Sequence, residues 1–193
     1  MKANVNVIAL NNAIKVGSVI PMKQLNGNIG RWIEHTLKKN GYTVNKGKGV
    51  DLMVMGVEVK SRKIGSTSGH TVSAMLPRDI INTEWEQSNI CNKVQRQYRV
   101  KYKENDLTGD NIVISALVYD FTDEFIQKKL KESWNYCRSV LVLGSTEEYI
   151  RGKGMWAYLE LQENGYYQFR IAHSSMKKME GIANATRTRM FSR

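Results

Sequence analysis

Between Gly47 and Arg62 the chain reads Gly-Lys-Gly-Val-Asp-Leu-Met-Val-Met-Gly-Val-Glu-Val-Lys-Ser-Arg, and Asp51, Glu58 and Lys60 in it are of types that can do chemistry together. Side chains of an extended strand alternate between faces, so Glu58 and Lys60 point one way while Val57 and Val59 point toward the core. A tight hairpin about Val54-Met55 sets Asp51 opposite Glu58, gathering two carboxylates and an ammonium on one face. Converging carboxylates repel unless a cation joins them. Magnesium is the suitable ion: hard, and usually held by one or two carboxylates with waters and phosphate oxygens. A Lewis acid on a phosphate, with a lysine to orient or help deprotonate a water, is the equipment of phosphodiester hydrolysis. The spacing is also degenerate, and Glu-Val-Lys on an edge strand can equally be a solvated face.

These groups need elements to hold them. Ile29, Trp32, Ile33 and Leu37 follow helical spacing, which predicts a helix over 28–39 that stops near Gly41. Glu34 lies at the flank of that stripe, and Gly30 sits one turn earlier on the same side, where a missing side chain admits a backbone or a phosphate. Glu34 is therefore a candidate for a metal-bound water or a second ion, the alternative being a surface pair with Lys38. Residues 50–54 and 57–61 read as strands with a turn near Met55-Gly56, and 70–76 as a third. A helix over 85–97 would bury Ile90, Cys91 and Val94; strands follow near 98–103 and 111–118. The clearest long helix is 122–139, with Ile126, Leu130, Trp134 and Cys137 on one stripe. Val140–Leu143 either extends it or begins a buried strand. Strands at 156–162 and 166–172 and a short helix near 174–180 complete the chain. Interleaved elements imply an α/β or α+β fold. Two prolines, no repeat and no polar linker suggest one domain over 1–193.

Composition narrows the partners. The net charge is +11 and the pI about 9.6, an excess that favours a polyanion. No apolar run approaches the ~20 residues needed to span a bilayer, and the first residues lack a signal-peptide pattern. The expectation is a cytoplasmic protein of a bacterial or phage-infected cell, with no membrane partner. Cys91 and Cys137 are far apart and read as buried thiols; His35, His70 and His173 lack ligand spacing. The loop after the Glu-Val-Lys strand, with Arg62, Lys63 and Ser66, is a candidate for phosphate contacts. So are Arg96, Arg170 and the basic C-terminal stretch with Lys177, Lys178, Arg187 and Arg189, so that residues from about 155 to 193 would contribute to a DNA-binding face. Gln168 and Arg170 are of types that read base edges.

A helix bearing Glu, then Asp in a hairpin, then Glu-x-Lys, resembles the PD-(D/E)xK nuclease superfamily. Gly30-x-x-x-Glu34, Asp51 and Gly56-Val57-Glu58-Val59-Lys60 are similar to the MutH-type nicking endonuclease and related type II restriction endonucleases. Trp85-Glu86-Gln87-Ser88, followed by Lys93 and Arg96, resembles that family's helix with a second active-site lysine. Leu130 to Gly144 resembles its long helix. The likeness spans roughly residues 20–165. Asn26 stands where the family has a lysine, with Lys23 nearby but not aligned, and the C-terminal part is poorly matched. The recognition sequence therefore does not transfer.

The resemblance implies a restriction-endonuclease-like central mixed β-sheet flanked by helices. It implies a catalytic set of Glu34, Asp51, Glu58, Lys60 and Lys93, with Mg2+ (Mn2+ substituting) on Asp51, Glu58 and the Val59 carbonyl. The expected partner is double-stranded DNA, cut to 5′-phosphate and 3′-hydroxyl ends by a monomer or homodimer. Two alternatives are a structure-selective nuclease such as a Holliday-junction resolvase, and a non-catalytic basic DNA-binding protein.

Overall fold

In the computed structural model, which describes residues 2–22, 28–46 and 49–191, and only the backbone of 2–6 and 187–191, helices and strands interleave along the chain. Lys23, Asn26 and Arg193 lie outside the described residues, as do the side chains of Arg187 and Arg189. The elements run α1 (Lys2–Asn11), β1 (Val19–Ile20), α2 (Ile29–Lys39), β2 (Glu58–Lys63), β3 (His70–Met75), α3 (Pro77–Ile81), α4 (Asn89–Gln95) and β4 (Arg96–Glu104). They continue with β5 (Asn111–Asp120), α5 (Glu124–Val142), β6 (Tyr149–Ile150), β7 (Ala157–Leu161), β8 (Tyr167–Ile171) and α6 (His173–Phe191). Contacts divide them into two compact units, Met1–Ser66 with Arg96–Tyr119, and Thr67–Gln95 with Asp120–Arg193. The chain changes unit three times without a Pro- or Ser-rich linker, so composition does not mark the crossings.

The first unit holds a four-stranded sheet in the order β1-β5-β4-β2. It is mixed: β1 runs antiparallel to β5, and β2 parallel to β4, with Glu58 beside Gln97 and Lys60 beside Arg99. Its core gathers Leu10, Ile14, Ile33, Leu37, Leu52, Val57, Tyr98 and Val113, all buried. The stripe of α2 buries Ile29, Ile33 and Leu37 as its spacing predicts, while Trp32 is half-buried.

The second unit holds an antiparallel sheet in the order β3-β8-β7-β6. Helix α5 begins at an Asp123 cap and buries Ile126, Leu130, Trp134 and Cys137. Val140–Val142 prolong it rather than starting a strand. Trp85, Trp134 and Phe169 meet at ring separations of 5.8–6.4 Å.

Four expectations are corrected. The strands form two sheets, not one central sheet, because β3 pairs with the β7–β8 hairpin while β4 returns to lie beside β2. Residues 50–54 are no strand: a short 3-10 helix (Met53–Met55) turns the chain, leaving Met53 and Val54 exposed. The helix predicted over 85–97 is shorter, because Ser88 restarts it and the chain extends from Arg96. The final helix runs well past 180. Among the described residues, no helix is long and apolar enough to cross a membrane.

Candidate functional site

Asp51 is placed by hydrogen bonds on both sides of it. Its carbonyl accepts the Asn45 N–H at 2.7 Å. The next residue, Leu52, exchanges backbone hydrogen bonds with Val57 at 2.9 and 3.2 Å. Gly56 closes the turn at φ 62°, in the left-handed region that glycine enters without steric cost. Carried one residue further, this antiparallel register sets Asp51 opposite Glu58. The Asp51 side chain turns to the strand itself, and its Oδ2 accepts the Val59 N–H at 2.8 Å.

Val59 separates the other two groups. Glu58 is buried at 2% exposure, Lys60 is 26% exposed, and their Nζ and Oε1 lie 2.8 Å apart. Their pairing shows that they share a face. Val59 is half-buried and packs against the core. Strand β2 is at the end of its sheet, with β4 on its other side. Since a strand residue's N–H and C=O leave by the same edge, the Val59 carbonyl is directed to the edge where Asp51 receives its N–H. Two carboxylates and a carbonyl thus lie along one short stretch of chain, oxygen atoms of the type that magnesium takes as ligands. Among the described residues no group of three or more His, Cys, Asp and Glu gathers to form a larger metal cluster.

The neighbouring strand adds two residues that the motif does not contain. Gln97 lies beside Glu58 and Arg99 beside Lys60, both buried, and Arg99 Nη1 donates to Gln97 Oε1 at 2.8 Å. A buried cation thus stands next to the ion pair. The segment Arg-Gln-Tyr-Arg-Val is mostly polar in sequence, so the burial of Gln97 and Arg99 carried no signal there.

Helix α2 supplies the remaining acid. Asn28 caps it, its Oδ1 accepting the Arg31 N–H at 3.1 Å. Glu34 is half-buried and makes no ion pair with Lys38; with Asp51 it lines one open pocket of 630 Å³. Glu34 and Asp51 therefore line the same pocket.

The other candidates stand as follows. Lys93, on α4, belongs to the second unit and is half-buried. In the segment leading to it, Trp85 is core, while the Ser88 hydroxyl donates to the Trp85 carbonyl and accepts the Cys91 N–H. Arg96 is the first residue of β4. Arg62 donates to the Ser66 carbonyl at 2.9 Å, and Lys63 pairs with Glu104 at 2.5 Å. That pairing raises the Lys63 pKa and lowers that of Glu104. Arg170 is held by Glu160 and donates to the Gly69 carbonyl at 3.0 Å, and Gln168 accepts from Thr71, so the sheet itself engages both strand residues. Lys177 and Lys178 are exposed on α6. His70 and His173, remote in sequence, face each other at 3.4 Å. Cys91 and Cys137 are buried free thiols, and burial pushes Cys137 up to about 12.

No protein-family model matches the chain, and no curated protein is found to be similar to it.

Proposed function

We propose that this chain is a magnesium-dependent endonuclease that hydrolyses phosphodiester bonds of duplex DNA, with the mixed sheet of its first unit as a restriction-endonuclease-like core of the PD-(D/E)xK kind. The observation that carries the reading is the convergence at Val59: Asp51 holds its N–H, and Glu58 and Lys60 form an ion pair on either side of it. A buried carboxylate and an acid on the neighbouring backbone N–H are oxygen donors of the kind that a divalent ion takes. The net charge of +11 suits the polyanionic substrate.

In this reading Asp51, Glu58 and the Val59 carbonyl hold the ion. When bound, Mg2+, or Mn2+ in its place, supplies Lewis-acid polarisation of the phosphate and a more acidic water. Lys60, anchored by Glu58, orients the attacking water and offsets charge on the phosphate. Glu34, across the pocket from Asp51, accepts a hydrogen bond from water. Attack by water releases a 3′-hydroxyl and leaves a 5′-phosphate; one such site cuts one strand.

The test is nicking of supercoiled plasmid in Mg2+ by the wild type and by Glu58→Ala, with DNA binding measured in parallel. The expected result is divalent-dependent nicking by the wild type, its loss in the variant, and retained binding. Cleavage undiminished in Glu58→Ala, or none by the wild type across duplex, nicked and four-way substrates, would overturn the assignment.

A further inference from the structure

The pocket shared by Glu34 and Asp51 has walls that the proposed chemistry does not use. Arg31 and Lys38 stand on the α2 side and Lys46 on the loop side, with Asn28 and Asn45 between. All three cations are exposed. Among the described residues none of them is within ion-pair distance of a carboxylate, whereas Lys63, Arg138 and Arg170 all are. Among the described residues that line it, none carries an aliphatic side chain, or an aromatic one apart from His35. Small-molecule sites are mostly apolar, so this lining is the wrong chemistry for a hydrophobic ligand or for stacked bases. It is the right chemistry for a chain of phosphates and sugars.

We infer that this pocket seats the sugar-phosphate backbone of the DNA strand being cut, with Arg31, Lys38 and Lys46 as its phosphate contacts. The inference rests on the endonuclease reading and adds to it the path of the strand past the acids. The spacing on α2 is suitable. Arg31, His35 and Lys38 follow i, i+4, i+7 order and share one helix face. Seven residues of helix span about 10.5 Å, a length over which one strand of a duplex passes about three phosphates. Gly30 opens the same end of the pocket. A Cβ there would meet only Asn28 Oδ1, at 3.4 Å, so close packing within the protein does not require the glycine. Its missing side chain leaves room for a backbone to come close.

The charge balance points the same way. Among the described residues of the pocket three cations oppose two carboxylates, so it is attractive to an anion. Divalent binding at Asp51 would increase the excess.

The experiment measures binding of a short fluorescent duplex by anisotropy across a salt series, with Ca2+ in place of Mg2+. It compares the wild type, Arg31→Ala/Lys38→Ala, Lys46→Ala, and the charge-matched control Lys128→Ala/Lys153→Ala, whose residues are exposed and do not line the pocket. Each lost phosphate contact lowers the slope of log K against log salt by about 0.9 and weakens binding about fivefold at 0.15 M salt. The α2 double variant is therefore expected to lose about 1.8 in slope and roughly 30-fold in affinity, and Lys46→Ala about half of that slope, while the control stays near wild type. A wild-type slope in the α2 double variant, or an equal loss in the control, overturns the backbone seat while plasmid nicking by the wild type still stands. A wild type that neither binds nor nicks DNA removes both readings.

Discussion

Lys60→Met removes the ammonium at the centre of the site and keeps most of the aliphatic stem. Glu58, at 2% exposure, then loses the cation 2.8 Å from its Oε1. Deleting one partner of a fully buried pair costs about 3–5 kcal/mol. Lys60 is 26% exposed, so water screens part of the loss and about 2 kcal/mol is the expected cost. In a chain of 193 residues that corresponds to a Tm lower by about 4–8 °C. Urea unfolding followed by far-UV circular dichroism, in EDTA, measures it for Lys60→Met, Glu58→Gln and the double variant. The double variant is expected to recover about 2 kcal/mol relative to the sum of the singles, because the two interacting charges are then removed together. A divalent ion on the same carboxylates replaces the missing positive charge. Mg2+ at 100 times its Kd therefore adds about 2.7 kcal/mol to Lys60→Met, and much less to Glu58→Gln. Additivity within about 0.5 kcal/mol, with no Mg2+ rescue of Lys60→Met, refutes the coupling on which the site is built.

The role of Asp51 separates into two parts. Asp51→Ala loses the acceptor of the Val59 N–H and is expected to cost about 1.5–3 kcal/mol in urea unfolding, whereas Asp51→Asn keeps an acceptor and most of the stability. Both are expected to lose plasmid nicking, and an active Asp51→Asn would show that the carboxylate charge is dispensable. For Cys137, burial raises the pKa to about 12, so the folded state holds the proton more tightly than the unfolded chain. Its contribution is complete below the ordinary thiol pKa of about 8.5 and declines by about 1.4 kcal/mol per pH unit above it, up to the folded value. Cys137→Ala is expected to flatten that alkaline decline, and the native thiol to resist iodoacetamide at pH 8 until urea exposes it. An alkaline limb unchanged in the variant would assign the decline to other groups.

Local periodicity made much of the site legible. The faces of Glu58 and Lys60 follow from strand alternation, and the burial of Ile29, Ile33 and Leu37, with Glu34 at their flank, follows from helical spacing. Both depend on bond geometry within a few residues. The hairpin at Gly56 was legible for the same reason, although its 3-10 turn was not: exposed Met53 and Val54 imitate a strand in composition. What only the tertiary structure decided was long-range pairing. The return of β4 beside β2 placed Gln97 and Arg99 next to the ion pair, and the pairing of β3 with β8 divided the strands into two sheets. The apolar pattern of a strand says that it is buried, but not which strand lies alongside it. Charge behaved likewise. Lys63 and Arg170 look no different in sequence from Arg31 and Lys38. Folding brings Glu104 and Glu160 to the first two, and leaves the second two facing the pocket that holds Glu34 and Asp51.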